Sequence, residues 1–374
     1  MTIDERFKRL KELEEELRTT KYNKRTEHAI GLLKAKIARL REEIEKERKK
    51  ARKKGKGFSI KKTGDATVVL VGFPSVGKST LLNKLTNAKS KVGAYDFTTL
   101  NTIPGTMEYE NAKIQIIDIP GLILGASTGS GRGKEVLSAV RVADLIVIVT
   151  TPNSNIRELK SIIKELWNVG IRLNKKKPDV RIKKKPFGGI SIASTEKLDF
   201  DQKTIMDVLK EFKIMNADIL IREKVSLEEF IDTLQENIVY IPAIFVMNKI
   251  DLITRTEFER IKKEFKEQGI DIIGVSAEKG INIEELKNKI FEKLNLVRIY
   301  LKEINKKPDF EKPLIIKGDK NKEVTIRSVC ERIHKDFIKK FRFARVWGSS
   351  KFPGQKVGLD YKVKDKDIVQ IHLR

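Results

Sequence analysis

The stretch Gly72-Phe73-Pro74-Ser75-Val76-Gly77-Lys78-Ser79 has the spacing of a phosphate-binding loop, GxxxxGK followed by Ser or Thr. It follows the β-branched run Val68–Val71 and opens a stretch of helical pattern at Lys78. Glycines let the loop backbone direct its N–H groups at phosphates, and a helix N-terminus adds positive potential. We expect Lys78 to reach the β- and γ-phosphates and Ser79 to bind Mg²⁺. Residues 72–80, including Thr80, are therefore candidate nucleotide-binding residues, and Lys78 is also a candidate catalytic residue.

A second motif bears on the choice of base. Asn248-Lys249-Ile250-Asp251 follows the apolar run Ile244–Met247. The Asp251 carboxylate can accept hydrogen bonds from guanine N1–H and the exocyclic amine, a donor pair that adenine lacks. Sites that leave a buried polar group unpaired reject an analogue by a factor on the order of 10⁴. With Asn248 bridging to the phosphate-binding loop and the Lys249 stem on the base, the motif predicts GTP as the nucleotide.

Three shorter motifs complete the predicted site. Asp118-Ile119-Pro120-Gly121 follows a strand-like run, so Asp118 is expected to hold Mg²⁺ through water and the Gly121 N–H to sense the γ-phosphate. Phe97, Thr98 and Thr99 lie in the preceding loop, where a switch threonine must close on Mg²⁺; Thr99 is preferred and Thr98 is the alternative. Ser276 and Ala277 are expected to support the guanine carbonyl through backbone N–H groups. The candidate metal ligands are Ser79, Thr99 and Asp118, and the candidate catalytic residues are Lys78, Thr99 and Gly121.

Short apolar runs alternate with helical patterns through the middle of the chain. This alternation predicts an α/β core, a mostly parallel sheet covered by helices on both faces. The gap from Val149 to Ile244 is too long for one crossover and contains amphipathic stretches at 201–213 and 226–236. We therefore expect residues 152–238 to form a small α/β insertion within a core spanning 64–295. The strand runs are Val68–Val71, Ile114–Ile117, Leu145–Val149, Ile244–Met247 and Ile272–Val275.

The two ends of the chain have patterns of their own. Apolar residues at helical spacing over 3–17 and 30–44 predict an antiparallel helical hairpin within residues 1–60. It runs into a basic tract, residues 46–62, with ten Lys or Arg and a single acid, Glu47. Residues 297–374 alternate short strands and turns around one helix near 325–340, which predicts a small α+β domain.

The net charge of +26 is concentrated in these ends. Residues 1–60 hold 20 Lys or Arg against 11 Asp or Glu, and residues 297–374 hold 21 against 10. This distribution favours docking on a polyanion such as RNA or the ribosome. The alternative is that both ends bind protein partners and the charge only keeps the surface soluble. The Lys-Pro clusters of residues 175–186 could form a loop that contacts RNA or a loop that is merely solvated, and the sequence favours neither alternative.

Other bulk features point to a soluble cytoplasmic protein. The N-terminus is charged from its fourth residue, unlike a secretory signal, and the apolar runs are too short to span a bilayer. Cys330 is the sole cysteine, so an intramolecular disulfide is excluded. Cys330 and the three histidines show no metal-ligand spacing. The oligomeric state stays open.

The sequence resembles one group of known GTPases. Phe97-Thr98-Thr99-Leu100 and the stretch Asp118-Ile-Pro-Gly-Leu-Ile-Leu-Gly-Ala-Ser-Thr-Gly-Ser-Gly131 are similar to the Obg-related GTPases, and specifically to the developmentally regulated GTP-binding protein family. The segment Arg345–Gly358 and the end Asp365–Ile371 resemble a TGS domain, a β-grasp module. The resemblance covers essentially the whole chain. It implies an N-terminal helical region, a GTPase core with an inserted domain, a C-terminal TGS domain and a link to translation.

Departures from related patterns affect the expected chemistry. Ras-like enzymes carry a glutamine where this chain has Leu122, and an apolar side chain cannot orient the attacking water. We expect slow intrinsic GTP hydrolysis, raised by a cation, a partner or another residue, with Arg132 the one nearby arginine.

Leu124 stands where the Obg pattern has an acidic residue or tyrosine, and relatives that use potassium carry Asn in place of Ser75. Potassium stimulation therefore stays open without support from that residue. The five glycines between Gly121 and Gly133 favour a loop that GTP orders and hydrolysis releases.

Overall fold

The structure, a computed structural model, describes residues 3–21, 23, 26–52, 63–86, 103–119, 140–318 and 323–374. The chain folds as two compact units, each assembled from two separate segments. One unit comprises residues 59–175 and 241–374, and the other comprises residues 1–58 and 176–240.

The first unit contains a six-stranded sheet. Its strands occur in the order β11-β10-β4-β1-β3-β2, and all neighbours are parallel except the edge strand β2, which pairs antiparallel with β3. The central strands are buried along their whole length, which explains their continuous apolar runs. The strands are β1 (Ala66–Val71), β2 (Ile103–Tyr109), β3 (Ala112–Asp118), β4 (Leu145–Thr150), β10 (Ala243–Met247) and β11 (Ile272–Gly274).

Helices follow these strands along the chain. They are α3 (Lys78–Leu85) after β1, α4 (Ile156–Asn168) after β4, α7 (Arg255–Glu267) after β10 and α8 (Ile283–Lys293) after β11. A short 3₁₀ helix, Ile250–Leu252, precedes α7, and the short strands β5 (Ile171–Leu173) and β9 (Val239–Ile241) lie near the segment junctions. Because β1 lies between β3 and β4, the strand order reverses there, and ligands bind at such a point outside the carboxyl ends of the strands.

A second sheet closes the same unit at the C-terminal end of the chain. Its five strands occur in the order β13-β12-β16-β14-β15, with β12 and β16 parallel and the other pairs antiparallel. The strands are β12 (Leu296–Leu301), β13 (Leu314–Lys317), β14 (Phe341–Trp347), β15 (Gln355–Val357) and β16 (Asp367–Leu373). The helices are α9 (Ile326–Ile333) and α10 (Asp336–Lys340). The single helix predicted around 325–340 is wrong, because His334 is extended and its Nδ1 accepts from the Asp336 N–H at 3.2 Å.

The other unit joins the N-terminal helices to the inserted segment. Helix α1 (Ile3–Thr19) packs on α2 (Glu27–Arg52) through Leu13, Leu33 and Ile37. Arg6 pairs with Glu47 at 2.5 Å, so the two helices are antiparallel, as predicted. The inserted segment has a three-stranded sheet ordered β6-β8-β7 and two helices. Its elements are β6 (Val180–Lys184), β7 (Ile190–Ser194), α5 (Gln202–Glu211), β8 (Ala217–Ile221) and α6 (Leu227–Leu234).

Helix α2 contributes to the core of the inserted segment. Ala35 and Ala38 are buried in the same apolar cluster as Phe230 and Val208. A Cβ on Gly31 would lie 2.5 Å from Leu227 Cδ2, so glycine permits the close approach of α2 and α6. Two parts of the sequence that were predicted separately therefore share one core. The predicted fold class, an α/β core with N-terminal helices, an inserted α/β domain and a C-terminal domain, is confirmed.

Candidate nucleotide-binding site

The loop between β1 and α3 depends on two glycines. A Cβ on Gly72 would lie 2.4 Å from the Val149 carbonyl oxygen of the neighbouring strand. Gly77 has φ +87°, and a Cβ there would lie 2.4 Å from the side-chain nitrogen of Asn248. No other residue type fits either position without moving backbone or a buried amide. The sequence therefore forms a tight loop directly before the first turn of α3.

Lys78 directs its ammonium into this loop. Its Nζ donates to the carbonyl oxygens of Gly72 at 3.1 Å and Phe73 at 2.9 Å. The side chain is buried, which lowers the pKa of Lys78, while the charge of Asp118 acts in the opposite direction. The loop thus holds a cation with a third N–H donor still available, which suits an incoming phosphate.

Ser79 and Asp118 meet beneath the loop. The Ser79 hydroxyl donates to Asp118 Oδ2 at 2.7 Å, although the residues come from α3 and the end of β3. The other carboxylate oxygen, Asp118 Oδ1, is buried and accepts no hydrogen bond from the residues that the structure describes. A buried carboxylate oxygen without a partner is costly unless a cation or water satisfies it. A hydroxyl beside this carboxylate is a set of hard oxygen ligands that fits Mg²⁺.

Asn248 connects three parts of the site. Its Nδ2 donates to the Val76 carbonyl at 3.0 Å, and its Oδ1 accepts from the Ala277 N–H at 2.9 Å. Its backbone N–H donates to the Thr150 carbonyl at 2.8 Å. With 2% of its surface exposed, the residue fixes the phosphate-binding loop, the end of β4 and the segment after β11 in one arrangement.

Lys249 and Asp251 lie on the rim of the same region. Lys249 has φ 65° and its Nζ donates to the Ser75 carbonyl at 2.9 Å. The hydrogen bond from Ser276 is the largest influence lowering the pKa of Asp251, and Lys279 and Lys249 add to it while burial opposes it. Lys279 Nζ lies 3.9 Å from Asp251 Oδ2. The carboxylate is therefore ionised at neutral pH and able to accept hydrogen bonds.

A cavity of about 410 Å³ opens beside the loop. Phe73, Pro74, Ser75 and Val76 line one side, and Lys249 and Leu252 line another. The remaining wall is formed by Thr151–Ser154 and Glu158, which the sequence reasoning did not select. The sequence could have indicated these residues, because this polar segment directly follows the buried strand β4, which lies beside β1.

The structure brings together most of the residues predicted for the site. Residues 72–79, Asp118, Asn248, Lys249, Asp251, Ser276 and Ala277 all lie at the carboxyl ends of the sheet strands or in the segments that follow them. Thr80 is exposed on α3. Phe97, Thr98, Thr99, Gly121, Leu122, Leu124, Arg132 and the glycine-rich loop to Gly133 lie outside the described residues, as does the basic tract beyond Arg52.

No helix within the described ranges is both long and apolar enough to cross a bilayer.

Models of known families match three consecutive parts of the chain. Residues 67–184 match a model described as 50S ribosome-binding GTPase. Residues 187–296 match the C-terminal region of MMR_HSR1 domain, and residues 297–373 match the TGS domain.

Curated relatives cover nearly the whole chain. An uncharacterized GTP-binding protein of Methanocaldococcus jannaschii is 53% identical over 376 residues, which is 100% of this chain and 94% of that protein. Developmentally-regulated GTP-binding protein 2 of Homo sapiens is 41% identical over 367 residues, 98% of either chain. Among solved structures, the YchF GTPase of Schizosaccharomyces pombe is 17% identical with a TM-score of 0.48, covering 83% of this chain and 99% of that one. Because a relative of that name is 41% identical over 98% of either chain, the chain belongs to the developmentally regulated GTP-binding protein family.

Proposed function

We propose that this protein binds GTP with Mg²⁺, hydrolyses it to GDP and phosphate, and changes conformation as it does so in the cytoplasm. The observation that carries the proposal is the position of Asn248. One buried amide links the phosphate-binding loop, through Val76, to the segment after β11, through Ala277. A phosphate site and a base site are thereby held at a fixed separation. The relatives in M. jannaschii and Homo sapiens are named as GTP-binding proteins, which supports the same function.

The base would be read by Asp251. Ser276, Lys279 and Lys249 lower the pKa of this carboxylate, so it is ionised before any ligand arrives. Guanine N1–H and the exocyclic amine supply two donors to such a carboxylate, and adenine would leave it unpaired. The Lys249 stem, anchored by the Ser75 carbonyl, would lie against the base. Ser276 and Ala277 would present backbone N–H groups to the guanine carbonyl.

The phosphates would be held by the loop and by Lys78. Phosphoryl transfer depends on positioning and charge neutralisation, and the leaving oxygen and the γ-phosphate oxygens carry the developing charge. Lys78 would release the carbonyls of Gly72 and Phe73 and donate to phosphate oxygens instead. These hydrogen bonds are stronger because the new acceptors are charged. Ser79 and Asp118 would hold Mg²⁺, which neutralises phosphate charge when bound. Thr99 and Gly121 keep their proposed roles at the γ-phosphate.

Hydrolysis is proposed to be slow without help. A water molecule attacks the γ-phosphorus while the bond to the bridging oxygen of GDP breaks, and that water has to be oriented. Leu122 occupies the position at which a glutamine does this in Ras-like enzymes, so another group has to contribute. The Thr99 carbonyl, a bound K⁺ or a docked partner are the candidates.

The partner is proposed to be RNA, on the ribosome or apart from it. The charge of the chain supports this, because its ends carry most of the net +26. The family model matched by residues 67–184, described as 50S ribosome-binding GTPase, points the same way.

One experiment tests the enzymatic and the docking parts together. GTP turnover is measured in Na⁺ or K⁺, with and without ribosomes, and ribosome binding is titrated with salt. We expect slow turnover alone, faster turnover with ribosomes, and binding that weakens steeply with salt as phosphate contacts are lost. Undetectable turnover in every condition would contradict hydrolysis. Ribosome binding that barely changes with salt would instead favour protein partners for the basic ends.

A further inference from the structure

The five-stranded sheet of the TGS domain has two unlike faces. One face packs on the domain core through buried residues such as Ile299, Val346 and Val369. The opposite face carries aromatic rings and cations, because side chains alternate along each strand. We call this second set the ring face. It consists of Lys302, Phe343, Arg345, Trp347, Lys356 and His372. Arg342 joins them because it lies at the register shift of β14, with its guanidinium carbon 5.8 Å from the centre of the Phe343 ring.

Two rings on this face are already stacked. Phe343 and His372 are paired across β14 and β16, with ring centroids 4.3 Å apart and planes 16° from parallel. Both rings are partly exposed to solvent. Burial is the largest influence lowering the pKa of His372, and Arg345, Arg342 and Lys356 act in the same direction. His372 Nε2 lies 3.1 Å from Gln370 Oε1. The stack is thus a flat, largely neutral platform at neutral pH.

Lysine side chains cover the rings. Lys356 Nζ lies 4.4 Å from the centre of Phe343, and Lys302 Nζ lies 4.6 Å from the centre of Trp347. Such cation–π contacts are weak at exposed sites, weaker than the stacking of a nucleic-acid base on an aromatic ring. A base can therefore displace the ammonium and stack on the ring. The displaced ammonium then lies beside the phosphate attached to that base.

Some basic residues of the domain are paired with acidic side chains. Arg298 pairs with Asp365, Arg327 with Asp360 and Lys362 with Glu323. Within the part of the chain that the structure describes, Lys302, Arg342, Arg345 and Lys356 form no ion pair with an acidic side chain. Four unpaired cations around partly exposed rings suit an anionic partner with flat apolar groups, which is the chemistry of a nucleic acid.

We infer that the ring face binds single-stranded RNA, with bases stacked on Phe343–His372 and on Trp347 and phosphates held by the four cations. This inference rests on the proposed function, which supplies RNA as the partner, and adds the form of RNA and the surface that binds it. Single strands are specified because a duplex hides its base faces, whereas stacking platforms bind unpaired bases.

The test uses the full chain with Trp167→Phe, which leaves Trp347 as the sole tryptophan, since the sequence has two. The probes are a single-stranded RNA oligonucleotide without self-complementarity and the corresponding blunt duplex. We expect the single strand to quench Trp347 fluorescence and to bind more tightly than the duplex. Phe343→Leu keeps an apolar side chain but removes the ring, and should weaken single-strand binding about 5-fold to 100-fold. Its salt dependence should be unchanged.

Charge and ring contributions are separated by a second pair of variants. Arg345→Gln and Lys356→Gln should each reduce the slope of log affinity against log salt by about 0.7. Arg260→Gln, at an exposed position on α7, is the matched control for the charge variants and should leave binding unchanged. Circular dichroism and GTP binding, measured on every variant, show that the fold and the nucleotide site are intact.

The outcomes separate this inference from the proposed function. If Phe343→Leu binds the oligonucleotide as the parent does, or if duplex and single strand bind equally, the ring face is not a stacking platform. GTP turnover and salt-dependent ribosome binding could both persist in that case, and the proposed function would stand. If ribosomes bind while the oligonucleotide does not bind at any salt concentration, the face is a protein contact and the inference fails.

Discussion

The two halves of the proposed nucleotide site differ in how complete they are without a ligand. On the base side, Asn248 has partners for both polar side-chain atoms, and Lys279 Nζ lies 3.9 Å from Asp251 Oδ2. On the phosphate side, Lys78 is held by loop carbonyls and Asp118 Oδ1 has no partner among the described residues. The base side is therefore preorganised, and the phosphate side is a set of charges that need phosphate and a cation to complete it.

Because of this contrast, we expect the base side to determine nucleotide selectivity and the phosphate side to determine the rate of hydrolysis. A preorganised site discriminates because a wrong base leaves fixed polar groups unpaired. An incomplete site gains most of its interactions when the charged ligand arrives, and these interactions can strengthen further as charge develops in the transition state. Changes on the base side should alter which nucleotide binds, and changes on the phosphate side should alter turnover.

The largest expected effect is a change of base preference in Asp251→Asn. An amide offers a donor where the carboxylate accepted, so guanine should lose its advantage and xanthine, which carries a carbonyl at that position, should gain. We expect the ratio of GTP to XTP affinity to fall by a factor on the order of 10⁴. Competition binding with a fluorescent nucleotide measures it. Asp360→Asn, at an exposed position in the TGS domain, should leave the ratio unchanged. Unaltered guanine preference in Asp251→Asn would remove the base-side assignment.

Lys78→Met tests the phosphate side. Loss of one charged donor should lower single-turnover GTP hydrolysis about 10²-fold to 10³-fold. Burial disfavours the charge of Lys78, whereas the Gly72 and Phe73 carbonyls would lose a donor, so the two effects offset and methionine should leave the free energy of unfolding nearly unchanged. Lys84→Met, on the exposed side of the same helix, is the control. Turnover retained in the Lys78 variant would contradict its role, and a loss of stability would mean that the lysine is structural.

Asn248→Ala should affect stability as well as affinity. It leaves the Val76 carbonyl and the Ala277 N–H without their partner, and each buried group left unsatisfied costs about 1–3 kcal/mol. Urea unfolding without nucleotide measures this cost, and Asn288→Ala on the surface of α8 should change it little. If the apo Asn248→Ala protein is as stable as the apo parent, the base side is not preorganised and the two halves of the site do not differ in this way.

The Mg²⁺ site gives a smaller effect. With GDP bound, Mg²⁺ at ten times its Kd should stabilise the parent by about 1.4 kcal/mol, by the linkage of binding to folding. Asp118→Asn should lose this gain and Asp271→Asn, at an exposed position, should keep it. Thermal unfolding in Mg²⁺ or EDTA compares them. If Asp118→Asn is still stabilised by Mg²⁺, other residues bind the ion.

Sequence reasoning succeeded where a motif fixes its own local geometry. The phosphate-binding loop, the strand before it and the Asn248 motif could be predicted because each is short, and parallel strands bring their carboxyl ends to one edge. The roles of Thr99 and Gly121 stay predictions, since both lie outside the described residues.

Features that depend on long-range packing could not be predicted. The shared core of α2 and the inserted segment joins residues about two hundred positions apart, and neither helical pattern specifies its partner. The break at His334 depends on a local hydrogen bond that competes with a helical pattern. The cavity wall of Thr151–Ser154 was missed because no motif marks it, although its position after β4 could have suggested it.

The smallest expected effect is on the pH dependence of stability, and it tests the Asp251 carboxylate on the base side. The hydrogen bond from Ser276 holds the pKa of Asp251 below its ordinary value of 3.8, with burial opposing. A lowered folded-state pKa contributes stability above the unfolded value, and this contribution disappears as the pH falls through the folded value. The stability difference between the apo parent and Asp251→Asn should therefore be constant above about pH 5 and shrink only below the ordinary aspartate pKa. Urea midpoints from pH 3 to 7 measure it, with Asp360→Asn as the surface reference. A difference that shrinks nearer neutrality would mean that the pKa of Asp251 is not lowered in the apo protein and that this carboxylate gains its partners only with the nucleotide.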